Sequence, residues 1–306
     1  MTDLIPDKRL DFMCIGAAKS GTTWLYHNLS LHPNISLSKV KEINYFNKYT
    51  GEDPDILNPN YGKPIEWYHS YFPDSKPGFL LGEFSTSYLK YLNCAPDLHA
   101  YNPKLKLIVI LRNPVERVFS HYLFLLQRGF VAPSMSFEEA MTKRKYMLDN
   151  SLYFEQLFHY FKLFPKNQIK ILWYDDLIHQ PEKLYAETLE FLQIEPFFPS
   201  GLKEVVNPTK EVRSRLLNDV LINFSKTFNS GKIAGKIKFI LKKLRLGKIL
   251  NHVFILNSAK PNAERREINE ASRKQLQDYF KADIEKLEAL LDVDLNTWKT
   301  RTHSTS

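Results

Sequence analysis

Residues 12–25 read Phe-Met-Cys-Ile-Gly-Ala-Ala-Lys-Ser-Gly-Thr-Thr-Trp-Leu, and the fold turns on them. The apolar run Phe12–Ile15 fits a buried strand, small residues follow, and an amphipathic helix begins near Thr22. A strand, a glycine loop and a helix N-terminus together make an anion site, because the loop amides and the positive end of the helix dipole converge on one spot. The frame is almost the nucleotide-triphosphate loop G-x-x-x-x-G-K-[ST]. Gly16 and Gly21 hold the glycine positions and Thr23 the hydroxyl, but Thr22 stands where the lysine belongs. The lysine comes three residues earlier, as Lys19. That displacement argues for a 5′-phosphate-type donor other than ATP.

A second informative stretch, residues 105–124, reads Leu-Lys-Leu-Ile-Val-Ile-Leu-Arg-Asn-Pro-Val-Glu-Arg-Val-Phe-Ser-His-Tyr-Leu-Phe. Leu105 to Leu111 has the pattern of a buried parallel strand, and Pro114 suits the first turn of a following helix. Arg112 then lies at the carboxyl end of a strand, where open α/β sheets bind ligands. Ser120 falls eight residues later, about two turns along the helix. An arginine fork and a hydroxyl suit a phosphate monoester. Taken singly, each residue has a plainer reading: an arginine paired with Glu116, and a helix serine bonded to its own backbone.

Both motifs, about ninety residues apart and in this order, resemble the sulfotransferases, which use 3′-phosphoadenosine 5′-phosphosulfate (PAPS). Lys19-Ser20-Gly21-Thr22-Thr23-Trp24-Leu25 resembles their donor loop, and R-N-P-x-x-R-x-x-S-x-Y resembles their 3′-phosphate motif. The resemblance implies that Lys19, Ser20, Gly21, Thr22 and Thr23 hold the phosphosulfate, and Arg112 and Ser120 the 3′-phosphate. Lys41-Glu42-Ile43-Asn44-Tyr45-Phe46 resembles the K-E-x-x-[FY]-F segment of the heparan-type branch, which makes Glu42 the general base with Lys41 beside it. Alone, Glu42 reads as a solvated carboxylate. Trp67-Tyr68 resembles that branch's downstream W-Y pair. Where the cytosolic small-molecule branch places a histidine, Gly82-Glu83-Phe84-Ser85-Thr86-Ser87-Tyr88 has none. The heparan-type pattern there is E-K-[ST]-x-x-Y, whose lysine assists at the sulfuryl group, and this chain departs from it with Phe84 in the lysine position, so either catalytic Lys19 carries that charge alone or Lys41, a substrate-binding candidate, contributes. Glu83 is a second carboxylate candidate, structural or substrate-binding. Trp24 and Tyr174 are candidates for the adenine, with core packing the competing role. Asn207–Arg215 resembles the basic loop of bacterial members, which implies that Arg213 or Arg215 reaches the 3′-phosphate.

The rest of the chain limits what these motifs can belong to. Its 306 residues, 43% hydrophobic, suffice for one α/β core with a helical extension. No run of eighteen apolar residues appears, and Met1–Asp11 has no apolar signal core, so a cytoplasmic protein is expected. The two cysteines, Cys14 and Cys94, imply neither a disulfide framework nor a metal site; His27 and His32 add no metal-ligand spacing. Donor chemistry of this kind needs no metal, since lysine and helix amides offset the charge. The net charge of +8 is local. Between Val220 and Ala263 stand nine lysines or arginines and no acid, and without those nine the chain nets −1. No nucleic-acid module is visible. Residues 232–250 place Ile233, Ile237, Ile240, Leu241 and Leu244 on one helical face among lysines, which suits an anionic membrane interface or an acidic acceptor. A docked helix with solvated lysines is the plainer alternative.

Strands are expected at 12–16, 35–37, 79–84, 105–111 and 168–173, alternating with helices at 22–31, from after 84 to about 100, and at 114–127, 136–147, 151–163 and 181–193. Residues 47–78 read as a long substrate-side loop, and 264–292 as a charged amphipathic helix. This is an α/β fold with a central parallel sheet flanked by helices. We expect one domain over 1–306, a core at about 10–200 and a basic, helical extension at about 201–306. The resemblance implies sulfuryl transfer to a hydroxyl or amine of a carbohydrate, lipid-linked or small-molecule acceptor. Two alternatives are an ATP-dependent kinase, which needs a lysine at position 22 and a strand-end aspartate, and a binder of nucleotides that has lost turnover.

Overall fold

A computed structural model describes residues 9–50, 56–72, 78–128, 130–132, 134–203, 211–212, 258–259 and 267–300. Five strands form one parallel sheet: β1 (Phe12–Gly16), β2 (Ile35–Leu37), β3 (Leu80–Phe84), β4 (Lys106–Leu111) and β5 (Ile169–Trp173), in the order β2-β3-β1-β4-β5. Strand β1 is central and buried at every position, as expected for a parallel strand covered on both faces. Its register pairs Met13 with Glu83 on one side and with Leu107 on the other. The chain runs outward from β1 on one side and returns to build β4 and β5 on the other. All five carboxyl ends therefore open on the same edge, the edge where such sheets bind ligands.

Helices α1 (Thr22–Ser30), α2 (Ile65–His69), α3 (Cys94–Tyr101), α4 (Pro114–Gln127), α5 (Phe137–Lys143), α6 (Tyr146–Asp149), α7 (Tyr153–Phe161), α8 (Tyr174–His179), α9 (Pro181–Leu192), α10 (Glu270–Leu291) and α11 (Asn296–Thr300) follow the expected alternation. The departures have local causes. The helix expected directly after β3 waits until Cys94, because Ser85 and Leu89 instead give their amides to Cys14 O and Ile15 O and extend the contact with β1. The stretch 136–147 breaks at Arg144, which leaves helical geometry at φ −133°, ψ 64°. The turn after β5 is itself a helix, with Asp175 and Asp176 in its first turn, where the dipole favours acids. Helix α2 begins after Pro64 inside the stretch read as loop.

The described chain forms two compact units, one comprising residues 1–117, 148–206 and 274–306, the other 118–147 and 207–273. The first holds the sheet, and a core that joins Phe12, Cys14, Trp24, Phe84, Ile108, Leu172, Tyr185 and Leu189. The second contains a capping box, Ser136 with Glu139, and the carboxylate of Glu138 receives Asn269 and Ser272. On α10, Leu276, Phe280, Ile284 and Leu287 are buried, the stripe that a period of 3.6 residues selects. Asp283 of α10 accepts the amides of Tyr153 (2.8 Å) and Phe154 (3.3 Å), supplying the cap for α7.

Candidate active site

The carboxyl end of β1 turns through Ala17–Gly21 into α1, whose N-cap is Gly21 at φ 87° with no side-chain cap. Its first amides thus have no competing side chain at the cap. Gly21 is required twice: its φ excludes ordinary residues, and an added Cβ would lie 2.2 Å from Leu177 Cδ2 and 3.5 Å from the Tyr174 ring. The loop therefore lies directly on α8. Lys19 holds φ 71°, in the left-handed region that costs a non-glycine residue about 1 kcal/mol or more. Ser20 and Thr22 are buried, while Lys19 and Thr23 are half-buried.

Arg112, at the end of β4, reaches this loop: its Nη1 donates to Lys19 O at 3.2 Å. Its guanidinium lies 4.2 Å from the centre of the Tyr174 ring, a stacking worth about 0.5–2 kcal/mol. Its Nε is buried with no hydrogen-bond partner among the described residues. Tyr153 OH donates to Arg112 O at 3.0 Å, and Trp298 packs on both Tyr153 and Trp173. Arg117, one turn into α4, is buried and gives its Nε to Ala18 O at 3.0 Å. The two sequence motifs thus meet through arginine side chains on loop carbonyls. Ser120 stands half-buried on α4, in the second unit. Trp24 is packed in the core, its indole N–H donating to Leu202 O at 2.8 Å and its ring edge-on to Tyr185. Tyr174 is the aromatic left beside the loop. Arg213 and Arg215, and the basic stretch 232–250, lie outside the described residues.

The second half of the site lies beyond β2. Glu42 has φ 66° and Asn44 φ 53°, so the segment makes an abrupt left-handed turn. Its amides are held at the end of β3: Glu42 N–H on Phe84 O (2.8 Å), Asn44 N–H on Ser85 Oγ (3.0 Å) and Tyr45 N–H on Tyr88 OH (2.9 Å). From the other side, Asn58 Nδ2 donates to the carbonyls of Asn44 and Asn47, and Asn60 Nδ2 to Ile43 O. The Glu42 carboxylate is partly exposed, paired with Lys41 Nζ at 2.9 Å and receiving Thr86 Oγ1 at 3.1 Å. Both contacts fall on Oε1, so Oε2 keeps its lone pairs. Burial pushes the nearby Cys14 thiol up to about 12, with smaller, opposing effects of the Lys41 and Glu42 charges. Cys14 is thus an inert core thiol within reach of the field of that ion pair.

Glu83 and Phe84 point to opposite faces of β3, as alternation demands. Phe84 is fully buried, edge-on to Phe12 and Tyr26; the position that carries lysine in the heparan-type pattern faces the core here. Glu83, also fully buried, accepts three hydroxyls: Tyr68 (2.5 Å), Ser85 (2.5 Å) and Tyr88 (3.0 Å). Burial raises its carboxyl from 4.5 to about 7 against the opposing pull of those hydroxyls. Such a carboxylate is closed to a ligand. Reading the sequence missed this hydroxyl cluster, although Trp67-Tyr68 and Ser85…Tyr88 both lay within the quoted motifs. It also missed Tyr153 and Asp283, for which no local pattern exists.

A family model described as a sulfotransferase domain matches residues 9–288. The chain is 28% identical to the membrane-associated sulfotransferase kil1 of Dictyostelium discoideum, across 72% of this chain and 64% of that protein. It is 27% identical to the human heparan sulfate glucosamine 3-O-sulfotransferase 6, across 63% and 53%. A third relative, the bifunctional heparan sulfate N-deacetylase/N-sulfotransferase 1 of Caenorhabditis briggsae, is 28% identical across 81% and 29%. The chain thus spans less than two thirds of the length of each of these relatives. Among solved structures, a sulfotransferase from Alicyclobacillus acidocaldarius superposes with a TM-score of 0.67 at 23% identity, covering 95% of this chain and 99% of that one. That likeness establishes the fold.

Proposed function

We propose, from the premise that this chain belongs to the sulfotransferase domain family, that it moves a sulfuryl group from PAPS to a hydroxyl or amine of a carbohydrate, lipid-linked or small-molecule acceptor. The observation that carries the reading is the meeting of its two anion motifs, with Arg112 Nη1 on Lys19 O. The residues fit the donor. The buried Arg112 Nε keeps a donor to spare, and the first amides of α1 have no side-chain cap.

PAPS supplies the sulfuryl group and a phosphate leaving group. Lys19, with the amides of residues 20–23, offsets the charge that gathers on the departing phosphate. Arg112, and in sequence terms Ser120 with Arg213 or Arg215, hold the 3′-phosphate. Tyr174 supports the Arg112 fork and offers the ring nearest the loop to a purine, whereas the Trp24 indole is already spent on Leu202 and Tyr185. Glu42 takes the proton of the acceptor, and Lys41 is the cation beside it. With Phe84 turned into the core, the charge work falls to Lys19 and Lys41.

The decisive binding test compares adenosine 3′,5′-bisphosphate with ATP plus Mg²⁺ in thermal shift: the first should stabilise the chain and the second should not. Transfer is then scored with [³⁵S]PAPS against heparosan oligosaccharides, free glucosamine and simple phenols. Stabilisation by ATP–Mg²⁺ alone would sink the reading.

Among the described residues no helix is long and apolar enough to cross a membrane. The acid-free segment 232–250 supports a cytoplasmic, peripheral placement on anionic lipid. Flotation with phosphatidylserine vesicles at low salt should carry the protein, and changing Lys238, Lys242, Lys243 and Arg245 to Gln should abolish it.

A further inference from the structure

The carboxylate that this chemistry leaves unused is Glu83. A hydroxyl has one proton to give, and an ionised carboxylate can only accept. Ser85 and Tyr88 spend their protons on Glu83, so their oxygens present lone pairs outward. Those lone pairs receive the amides of Asn44 and Tyr45, at 3.0 and 2.9 Å. Both amides belong to the turn that begins at Glu42 and holds positive φ at residues 42 and 44. The third hydroxyl, from Tyr68 on α2, fills the remaining oxygen of Glu83.

We propose that Glu83 is the positioning residue of the Glu42 base: by fixing the direction of the Ser85 and Tyr88 hydroxyls, it pins the 42–45 turn to the carboxyl end of β3. The proposal rests on the sulfuryl-transfer reading only for the role of Glu42. Glutamine at position 83 keeps the size but carries an NH₂ donor. With that NH₂ turned to Tyr68, the one remaining oxygen holds Ser85 and Tyr88 only through neutral, weaker bonds, so the two hydroxyls are aimed less firmly and the amides of Asn44 and Tyr45 are held less tightly.

The test uses the full chain. In Glu83→Gln, amide hydrogen exchange at Asn44 and Tyr45 should quicken while residues 17–25 keep their protection and adenosine 3′,5′-bisphosphate still binds. With [³⁵S]PAPS and heparosan oligosaccharide, kcat should fall about 10–100-fold at unchanged donor KM, the scale of a misplaced catalytic group. The discriminating readout is the double variant: Glu42→Gln/Glu83→Gln should be no slower than Glu42→Gln alone, because there is no base left to position. Equal penalties in both backgrounds, or unaltered exchange at residues 44 and 45, overturn the proposal. Should Glu83→Gln fold poorly, Ser85→Ala and Tyr88→Phe separate the two links, the first freeing Asn44 alone and the second Tyr45 alone. Failure of the wild type both to bind adenosine 3′,5′-bisphosphate and to sulfate any acceptor overturns the sulfuryl-transfer reading instead, and quickened exchange would still support the pin.

Discussion

The carboxyl ends of β4 and β3 carry a base and an acid in opposite states of completion. At β4, Arg112 gives one N–H to a loop carbonyl and lies on Tyr174, yet its Nε has no partner among the described residues. At β3, Glu83 has both oxygens occupied by three hydroxyls, and no valence left for a visitor. Both groups are ionisable and sit at the same edge of the sheet. What separates a group awaiting a ligand from one that supports its neighbours is spare hydrogen-bonding capacity. By that measure Glu42, partly exposed and with Oε2 keeping its lone pairs, belongs with Arg112.

The comparison can be broken most forcefully at Glu42. Replacing it with Gln removes basicity at constant size, and turnover should drop by about 10²–10⁴ with donor binding intact. Full activity of Glu42→Gln would move the base elsewhere. Lys19→Ala should lower kcat by about 10²–10³, since the lysine acts on charge that develops in the transition state. Arg112→Ala should instead act on the bound state, weakening adenosine 3′,5′-bisphosphate by about 2–5 kcal/mol in calorimetry. Wild-type affinity there would refute the assignment of its spare Nε to the donor. A smaller effect is expected from Tyr174→Leu: loss of the stacked ring should cost the same ligand about 0.5–2 kcal/mol.

The smallest effect sharpens the other side of the comparison. Burial raises the Glu83 carboxyl from 4.5 to about 7, so the folded chain binds its proton more tightly than the unfolded chain does. Its contribution to stability is complete below about pH 4.5 and is lost as pH rises through about 7. The difference in Tm between wild type and Glu83→Gln should therefore change between pH 5 and 8 in the direction that favours the wild type at the acid end. A difference independent of pH would mean that Glu83 is ionised throughout.

The sheet was legible because a parallel strand advertises itself: Phe12–Ile15 and Leu105–Leu111 are apolar runs bounded by small or polar residues. The glycine loop between β1 and α1 was legible for a related reason, since its residues are neighbours in sequence and its glycine has a steric role visible in the pattern. The Glu83 cluster was not. Tyr68, Glu83, Ser85 and Tyr88 come from two elements, and an acid with polar neighbours looks the same in sequence whether it is solvated or sealed. Whether Phe84 faced the cleft or the core depended on the register of β3 against β1, which one residue of slip would reverse. Trp24 is ambiguous for the same reason: only the path of the chain at Leu202 shows where its N–H goes.

The cap on α7 has a consequence in time. Asp283 closes the first turn of a helix that lies 130 residues upstream, and the tyrosine opening that helix holds the backbone of Arg112. A chain emerging from the ribosome at about 5–20 residues per second completes all five strands roughly 10 s before that aspartate appears. During that interval β4 ends in an arginine whose support is unfinished, so the anion pocket sets only after α10 has been made.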